Sequence, residues 1–105
     1  MGYQKFDTWE ELVDATKAWG DKHDLHDPVM QFTKMVEESG EIAHELTRNR
    51  FNSAALEDAL GDTAVCLIIL AHILDLDLKD CLEIAYNEIK DRKGATKNGT
   101  FIKEA

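Results

Sequence analysis

The sequence predicts an all-α protein, a four-helix bundle that assembles into oligomers. Apolar side chains recur every three or four residues through four separate segments, which is the spacing of a buried helix stripe. A residue with a suitable N-cap side chain precedes each of these segments. The 105 residues fit one domain, 1–105, with part of its stability supplied by a partner subunit. We expect no long strand.

The first two helices are predicted over about residues 8–22 and 28–49. Thr8, followed three residues later by Glu11, forms a capping box that opens the first helix. Gly20 weakens the end of that helix. Asp27 and Pro28 then supply an N-cap and a proline at the first helical position, where the second helix begins.

The third helix is predicted over residues 53–74, with Asn52 and Ser53 at its cap. Its second half, residues 64–74, is apolar nearly all round, with His72 as the exception. A helix that is apolar on every side must be covered on every side. We therefore expect part of this surface to pack against another subunit.

The fourth helix is predicted over residues 77–93, with Asp77 at its N-cap and Gly94 at its C-terminal cap. Residues 95–105 are expected to form a tail with a turn at Asn98-Gly99. Four helices that each carry one apolar stripe bury those stripes in a bundle.

The charge and the cysteines exclude several classes of protein. A net charge of −9 argues against binding of DNA or RNA polymers through their phosphates. Cys66 and Cys81 lie in apolar helical surroundings, so we interpret both as buried thiols in a reducing compartment. The longest apolar run, residues 64–71, is much shorter than a membrane span, and residues 1–10 lack signal-peptide character. We expect a cytoplasmic protein with no membrane partner.

Three glutamates of the second helix, Glu37, Glu38 and Glu41, are candidate metal ligands. At about 100° per residue, Glu38 and Glu41 lie together on one flank of the buried stripe, and Lys34 and Gln31 share that flank. Glu37 lies nearly opposite the stripe. The pattern favours Glu38 and Glu41 as ligands, with Glu37 as a side ligand, a water-orienting base or a solvated residue.

The third helix adds two aspartates. Asp62 lies on a face that is otherwise apolar, where a carboxylate is costly unless a cation pairs with it. Asp58, one turn earlier, projects to the same side, whereas Glu57 points away. Gly61 in the middle of this helix and Gly40 in the second helix suggest close approach of another helix or of a ligand.

A ligand set of oxygen atoms alone favours Mg²⁺ or Mn²⁺. Such an ion is commonly held by few carboxylates and bridges to the phosphates of a substrate, which makes a polyphosphate compatible with an acidic site. Basic residues are then expected near the entrance. The end of the fourth helix supplies Lys90 and Arg92, with Asn87 one turn before Lys90, although cations at a helix C-terminus also serve the macrodipole.

Together these residues resemble the MazG-like nucleoside triphosphate pyrophosphohydrolases of the all-α NTP pyrophosphatase superfamily. The family pattern is EExxE and, after a gap, ExxD; residues 37–41 match the first half and Asp62 ends the second. The family's glutamate three residues before the aspartate is Ala59 here, with Asp58 beside it as a substitute. Residues 86–94 also look like the fourth-helix segment of small phage-type members, and the similarity covers about residues 19–101.

The resemblance implies a homodimer or homotetramer and Mg²⁺-dependent hydrolysis of a (deoxy)nucleoside triphosphate to monophosphate and pyrophosphate. It implies metal ligands at Glu38, Glu41 and Asp62, with Asp58 as the substitute for the missing glutamate, and a catalytic Glu37 that either joins them or orients the attacking water. The candidates for stacking on the base are Trp19, Phe32 and His23, although a tryptophan at the end of an amphipathic helix more often belongs to the core. The substrate contacts expected from three different helices are Asn87, Lys90, Arg92, Lys34 and Trp19.

Other classes of protein are less well supported. Glu41 and His44 form an ExxH pair, the motif that di-iron carboxylate bundles use twice, but it occurs once here. His23 and His26 lie in a polar link without a cysteine partner, which favours solvated histidines over a zinc site. The remaining alternative is a non-catalytic helical module that binds nucleotides or another protein, and Ala59 is the residue that favours it.

Overall fold

The computed structural model describes residues 2–104 and contains the four predicted helices. They are α1 (Trp9–Lys22), α2 (Pro28–Thr47), α3 (Ala54–Ile73) and α4 (Leu78–Ile89). Two short strands follow, β1 (Gly94–Lys97) and β2 (Thr100–Lys103). The prediction of a mostly helical, all-α fold is confirmed.

A side-chain oxygen caps the N-terminus of each of the four helices. Thr8 Oγ1 accepts a hydrogen bond of 3.1 Å from the backbone N–H of Glu11. This bond satisfies a donor that has no partner inside the helix. The other three N-caps are also those expected from the sequence: Asp27, Ser53 and Asp77.

A residue in the left-handed conformation follows each of the first three helices. These residues are Asp24 with φ 56°, Asn49 with φ 57° and Asp75 with φ 56°. Asp and Asn tolerate this conformation because their short polar side chains bond locally. Such helix ends are hard to recognise in a sequence because glycine is the usual residue at this position.

The central element is α3. The backbones of α1, α2 and α4 each approach α3, and within residues 2–104 the backbones of α1 and α2 do not approach one another. Gly20 is buried where α1 crosses α3, and a Cβ atom there would lie 3.3 Å from Ile69 Cγ1. Gly20 therefore lets the two helices come close, besides weakening a helix end. The buried apolar residues all lie on α3: Leu56, Ala59, Cys66, Ile68, Ile69 and Ala71.

The close approach expected at Gly40 and Gly61 does not occur between helices of one chain. No described atom outside the local helix lies within 4 Å of a Cβ atom built at either glycine. The physical reason is that both glycines lie on exposed faces of α2 and α3. Neither face is covered by another helix of the same chain.

The fourth helix ends at Ile89, before the predicted boundary at residue 93, and Lys90 is its C-cap. Gly94 begins β1 instead of capping the helix. The backbone N–H of Glu104 donates a hydrogen bond of 2.7 Å to the carbonyl of Lys93. This bond extends the pairing beside the strands to Lys93, which lies beyond the helix.

Over its described part, the predicted tail is a β-hairpin. β1 pairs with β2 in antiparallel order, with Gly94 opposite Lys103. Asn98 (φ 52°) and Gly99 (φ 78°) are both left-handed, as the favoured two-residue hairpin turn requires. The turn predicted at Asn98-Gly99 is thereby confirmed, whereas the strands beside it were not expected.

No single helix among residues 2–104 is both long enough and apolar enough to cross a membrane. Only α3 and α4 taken together, bent by 103° at their junction, reach the required length and composition. Cys66 is buried and Cys81 is half-buried, and both are free thiols.

Candidate functional site

A cavity of about 570 Å³ lies between α1, α2 and α3. Trp19 of α1, Lys34 and Glu38 of α2, and Asp62 of α3 all line it. The link between α1 and α2 contributes residues 24–27. The fold thus brings together four of the residues predicted for the site, one from α1, two from α2 and one from α3.

Lys34 forms ion pairs with Glu37 and Glu38, the two nearest of the glutamates that follow it on α2. Its Nζ lies 3.1 Å from Glu38 Oε1 and 3.8 Å from Glu37 Oε2, at the spacings that bring helical side chains to one side. The hydrogen bond to Glu38 and the charge of Glu38 raise the pKa of Lys34. The Glu38 side chain is 15% exposed and that of Glu37 is 65% exposed. Glu38 therefore faces the cavity wall and Glu37 faces solvent.

The pKa of Asp62 is affected by burial and by neighbouring acidic side chains. Burial raises the pKa of Asp62, and the negative charges of Asp58 and Glu38 raise it further, with Lys34 acting in the opposite direction. Glu38 of α2 and Asp62 of α3 line the same cavity. Three carboxylates beside one ammonium group leave an excess of negative charge that attracts a cation.

Two of the predicted metal ligands lie outside the cavity. Glu41 and Asp58 are both exposed, and neither lines the cavity. Asp58 lines, together with Asp62, a neighbouring depression between α1 and α3. Within residues 2–104, no three His, Cys, Asp or Glu side chains are grouped so as to hold a metal ion as they stand. Of the predicted ligands, Glu38 and Asp62 line the cavity, and Asp58 lies with Asp62 at the neighbouring depression.

Ala59 occupies the position of the family's glutamate and is buried, at 3% exposed. Its carbonyl oxygen accepts a hydrogen bond of 2.8 Å from the hydroxyl of Thr63. The position belongs to the packed core, where a glutamate would have to displace its neighbours. The acidic groups that α3 offers to the cavity and its rim are accordingly Asp62 and Asp58.

Three predicted substrate contacts are not brought to the cavity within one chain. Asn87 Nδ2 donates a hydrogen bond of 2.8 Å to the carbonyl of Glu83, and Asn87 lines a separate depression on α4. Lys90 and Arg92 follow Asn87 and do not line the cavity either. The physical reason is the bend of 103° between α3 and α4, which directs α4 away from the other helices.

The cavity also contains residues that the sequence did not single out. Gln31 is buried on α2, on the flank shared with Lys34, so its angular position was the available signal. Burial and the charge of Glu38 raise the pKa of the Cys66 thiol, which keeps it protonated. Asp24 and His26 belong to a link without periodicity, and His26 Nε2 lies 4.0 Å from Asp24 Oδ1.

These features define an all-α protein with an acidic cavity between three helices. The chain is similar in fold to the crystal structure of the Bacillus-conserved MazG protein, a nucleotide pyrophosphohydrolase. The TM-score is 0.70 at 23% sequence identity, and the match covers 86% of this chain and 97% of that chain. At this identity the match establishes the fold, and at that level it confirms the expected resemblance. No protein-family model and no curated protein sequence matches the chain significantly.

Proposed function

We propose that the protein hydrolyses a nucleoside or deoxynucleoside triphosphate to the monophosphate and pyrophosphate, in a reaction that depends on Mg²⁺. The observation that carries the proposal is that Glu38 of α2 and Asp62 of α3 line one cavity together with Lys34. The cavity volume of about 570 Å³ suits a small-molecule ligand. The shared fold with a nucleotide pyrophosphohydrolase supports the class of reaction.

The acidic residues fit a small, hard cation. Glu38, Glu41, Asp58 and Asp62 offer oxygen atoms only, which is the ligand type of Mg²⁺ and Mn²⁺. The raised pKa of Asp62 reflects the excess of negative charge that such an ion would neutralise. When bound, Mg²⁺ supplies polarisation of a phosphoryl oxygen and neutralises charge on the phosphates.

The side chains of the protein bind the substrate, orient the attacking water and accept its proton. A water molecule attacks the α-phosphorus while the bond from that phosphorus to the leaving pyrophosphate oxygen breaks. Glu37, which faces solvent beside Lys34, would turn toward the cavity to orient this water and accept its proton. Lys34 stays protonated because Glu38 raises its pKa, and it offsets the charge that develops on the phosphoryl oxygens. Trp19 offers an aromatic face to the base.

We expect the active form to be a homodimer or a homotetramer. The radius of gyration of the chain is 16.5 Å, against about 13 Å for a compact domain of this length. Asn87, Lys90 and Arg92 reach a ligand in the cavity only if a second subunit supplies them. The apolar side chains left exposed on α4 are Leu82, Ile84, Tyr86 and Ile89.

A nucleotide-binding module without hydrolytic activity is the second candidate. Two observations favour it. The carboxylates of residues 2–104 are not grouped as a finished metal site, and Ala59 removes one acidic side chain from the family pattern. In this case the protein binds triphosphates and releases them unchanged.

The two functions are separated by one assay. The purified protein is incubated with each of the ribonucleoside and deoxynucleoside triphosphates and Mg²⁺, and pyrophosphate and monophosphate are measured. We expect Glu41→Gln and Asp62→Asn each to lower kcat/KM by roughly 100-fold or more, since several kcal/mol of charge stabilisation are lost. Glu88→Gln, the same change as Glu41→Gln but on exposed α4, is the matched control.

Activity that survives both Glu41→Gln and Asp62→Asn contradicts the metal hypothesis. Tight binding of triphosphates with no pyrophosphate from any of them favours the non-catalytic module. Mixed results are resolved by replacing Mg²⁺ with Mn²⁺, which accepts the same oxygen ligands with less strict geometry.

A further inference from the structure

The helix α2 carries a second stripe of apolar and small side chains, which no described part of its own chain covers. Its members recur at alternating spacings of three and four residues, the heptad spacing of a helix that packs along another helix. All of them are exposed, Val29 to 70% and Val36 to 53%. We call this stripe the seam, and its members are Val29, Phe32, Val36, Ser39, Ala43 and Leu46. Such a stripe is expected to pack against another helix.

No charged side chain of α2 lies on the side of the helix that carries the seam. At about 100° per residue, every charged residue of α2 lies about 130° or more from the centre of the seam. These residues are Lys34, Glu37, Glu38, Glu41 and Glu45. On a chain with a net charge of −9, a neutral apolar strip is the surface on which two copies can approach with the least repulsion.

The seam and the less exposed side of α2 point in different directions. Among the described helices, only α3 approaches α2. The less exposed residues of α2, such as Gln31, Met35 and Ile42, lie about 90–130° from the centre of the seam. A helix at the corner of a four-helix bundle has two neighbours, in directions roughly at right angles to one another. The helix α2 thus has the geometry of a corner helix for which the described chain supplies only one neighbour.

We infer that two copies of this chain pair along the seam, with their α2 helices antiparallel about a twofold axis between residues 37 and 38. This inference rests on the assembly expected for the active form and not on the hydrolytic activity. The sizes of the side chains determine the register, because it sets Phe32 against Ala43 and Val36 against Ser39, so that larger side chains meet smaller ones at the centre. The same surface of both copies then forms the interface.

Charges at the two ends of α2 favour the antiparallel orientation. Asp27 caps the N-terminal end of the helix and Arg48 the C-terminal end. In the inferred register, Arg48 of one copy lies level with Asp27 of the partner subunit, and the opposed helix dipoles attract one another. Arg48 forms no ion pair within residues 2–104, so its charge is available to a second copy. A parallel pair would place ends of like charge together.

The seam forms one part of the dimer interface and the exposed apolar side of α4 forms the other. Val29 and Leu46 are 17 residues apart, so the seam is about 26 Å long. A stable, specific interface buries about 1,200–2,000 Å² in total, and the apolar side chains of α4 add to the area that the seam supplies. Damage to either surface should therefore dissociate the dimer.

Sedimentation of variants tests whether the seam holds the two copies together. Val36→Glu places a carboxylate at the centre of the seam and should raise the dissociation constant of the dimer by roughly 100-fold or more, because a buried, unpaired charge is strongly unfavourable. Met30→Glu is the matched control, since Met30 is 61% exposed on the same helix and lies off the seam. It should leave the dissociation constant within about threefold of the wild type. If Val36→Glu does not fold, Ser39→Glu, at an exposed polar position, replaces it.

Disulfide cross-linking tests the orientation of the two helices. Phe32→Cys and Ala43→Cys are prepared separately, each together with Cys66→Ala and Cys81→Ala so that no other thiol is present. After mixing, subunit exchange and oxidation, position 32 of one copy should cross-link to position 43 of the other. Each variant alone should cross-link poorly, because its two equivalent positions lie about 16 Å apart along the pair of helices, beyond the reach of a disulfide.

Outcomes for the seam and for hydrolysis are distinguishable. A monomeric wild type, a seam variant that associates as tightly as the wild type, or cross-linking of Phe32→Cys to itself as readily as to Ala43→Cys would each overturn the inference, whatever the enzyme activity. A dimer that depends on the seam, without pyrophosphate in the activity assay, sustains the inference and contradicts the proposed hydrolysis.

Discussion

The Ser53 hydroxyl donates a hydrogen bond of 2.7 Å to Glu45 Oε1 while it accepts the backbone N–H of Leu56 at 3.0 Å. Arg50 Nη1 lies 3.3 Å from Glu45 Oε2. The Ser53 hydrogen bond lowers the pKa of Glu45, with Arg50 acting in the same direction and burial opposing it. This buried cluster joins the end of α2 to the start of α3, and so fixes the register of the two helices that carry the acidic site.

Ser53→Ala should destabilise the protein by about 1–2 kcal/mol, because it removes a helix cap and a partner of a buried carboxylate. Thr8→Ala removes only a cap, on exposed α1, and should cost less. Urea unfolding measures both. The folded-state pKa of Glu45 lies below its unfolded value, so this contribution is present at neutral pH and lost as pH falls through the folded pKa. Equal losses for the two variants would contradict the role given to Glu45.

Asp62→Asn should stabilise the metal-free protein at neutral pH. The pKa of Asp62 is raised in the folded state, so its ionisation lowers stability as pH rises through the unfolded and then the folded pKa. The variant should therefore melt at a higher temperature than the wild type at pH 7. The difference should vanish near pH 3, where the carboxyl is protonated in both states.

In the presence of Mg²⁺, the wild type should melt at a higher temperature than Asp62→Asn. Millimolar Mg²⁺ is expected to raise the melting temperature of the wild type but not that of Asp62→Asn, because binding to the folded state alone stabilises it. Asp91→Asn, at an exposed position beyond α4, is the control for the change of net charge. An equal response of wild type and Asp62→Asn to Mg²⁺ would remove Asp62 from the ligand set.

Lys34→Met should separate metal binding from substrate binding. The ammonium of Lys34 lies 3.1 Å from Glu38 Oε1 and competes with a cation for that carboxylate. Its removal should tighten Mg²⁺ binding by about 2–5-fold, in keeping with the energy of a partly exposed ion pair. KM for a triphosphate should rise because a positive charge near the phosphates is lost.

Calorimetric titration with Mg²⁺ and initial-rate kinetics measure these two effects of Lys34→Met. Lys17→Met on α1 provides the same chemical change away from the acidic side chains of α2. Weaker Mg²⁺ binding in Lys34→Met would indicate that the lysine orders Glu38 for the metal instead of competing with it.

The double variant Leu82→Glu, Ile84→Glu should dissociate the oligomer. Ile84 is 69% exposed on α4, a helix that approaches only α3 within the described chain. Buried in a subunit interface, two introduced carboxylates would be strongly unfavourable. Sedimentation at micromolar concentration should change from dimer or tetramer to monomer, and Ala18→Glu on exposed α1 should not have this effect. A monomeric wild type would contradict the expected assembly.

The helices were predictable because their starts depend on local chemistry. The unpaired backbone N–H groups at a helix start bond to a side-chain oxygen. A residue that carries one precedes each apolar segment: Thr8, Asp27, Ser53 and Asp77. The end of α4 was not predictable in this way. Residues 90–93 were predicted as helix, whereas Lys93 accepts a backbone hydrogen bond from Glu104 beside the hairpin.

The site was predictable as far as helix angles determine it. Lys34, Glu38 and Asp62 were placed toward one another by counting residues around α2 and α3, and they line one cavity. The angular position of Gln31 placed it on the flank shared with Lys34, but its burial in the cavity wall depends on tertiary packing. The directions of Glu41 and Asp58 likewise depend on rotamers and on what they bind.

Gly20 has a further consequence for the cavity through its contact with Ile69. Ile69 lines the cavity, and so does Trp19, the residue before Gly20. A methyl group at position 20, 3.3 Å from Ile69 Cγ1, would push that side chain or shift α1. A substitution at residue 20 would therefore change the volume of the cavity without contacting the ligand. Position 20 is thus a site for engineering a narrower or wider ligand preference.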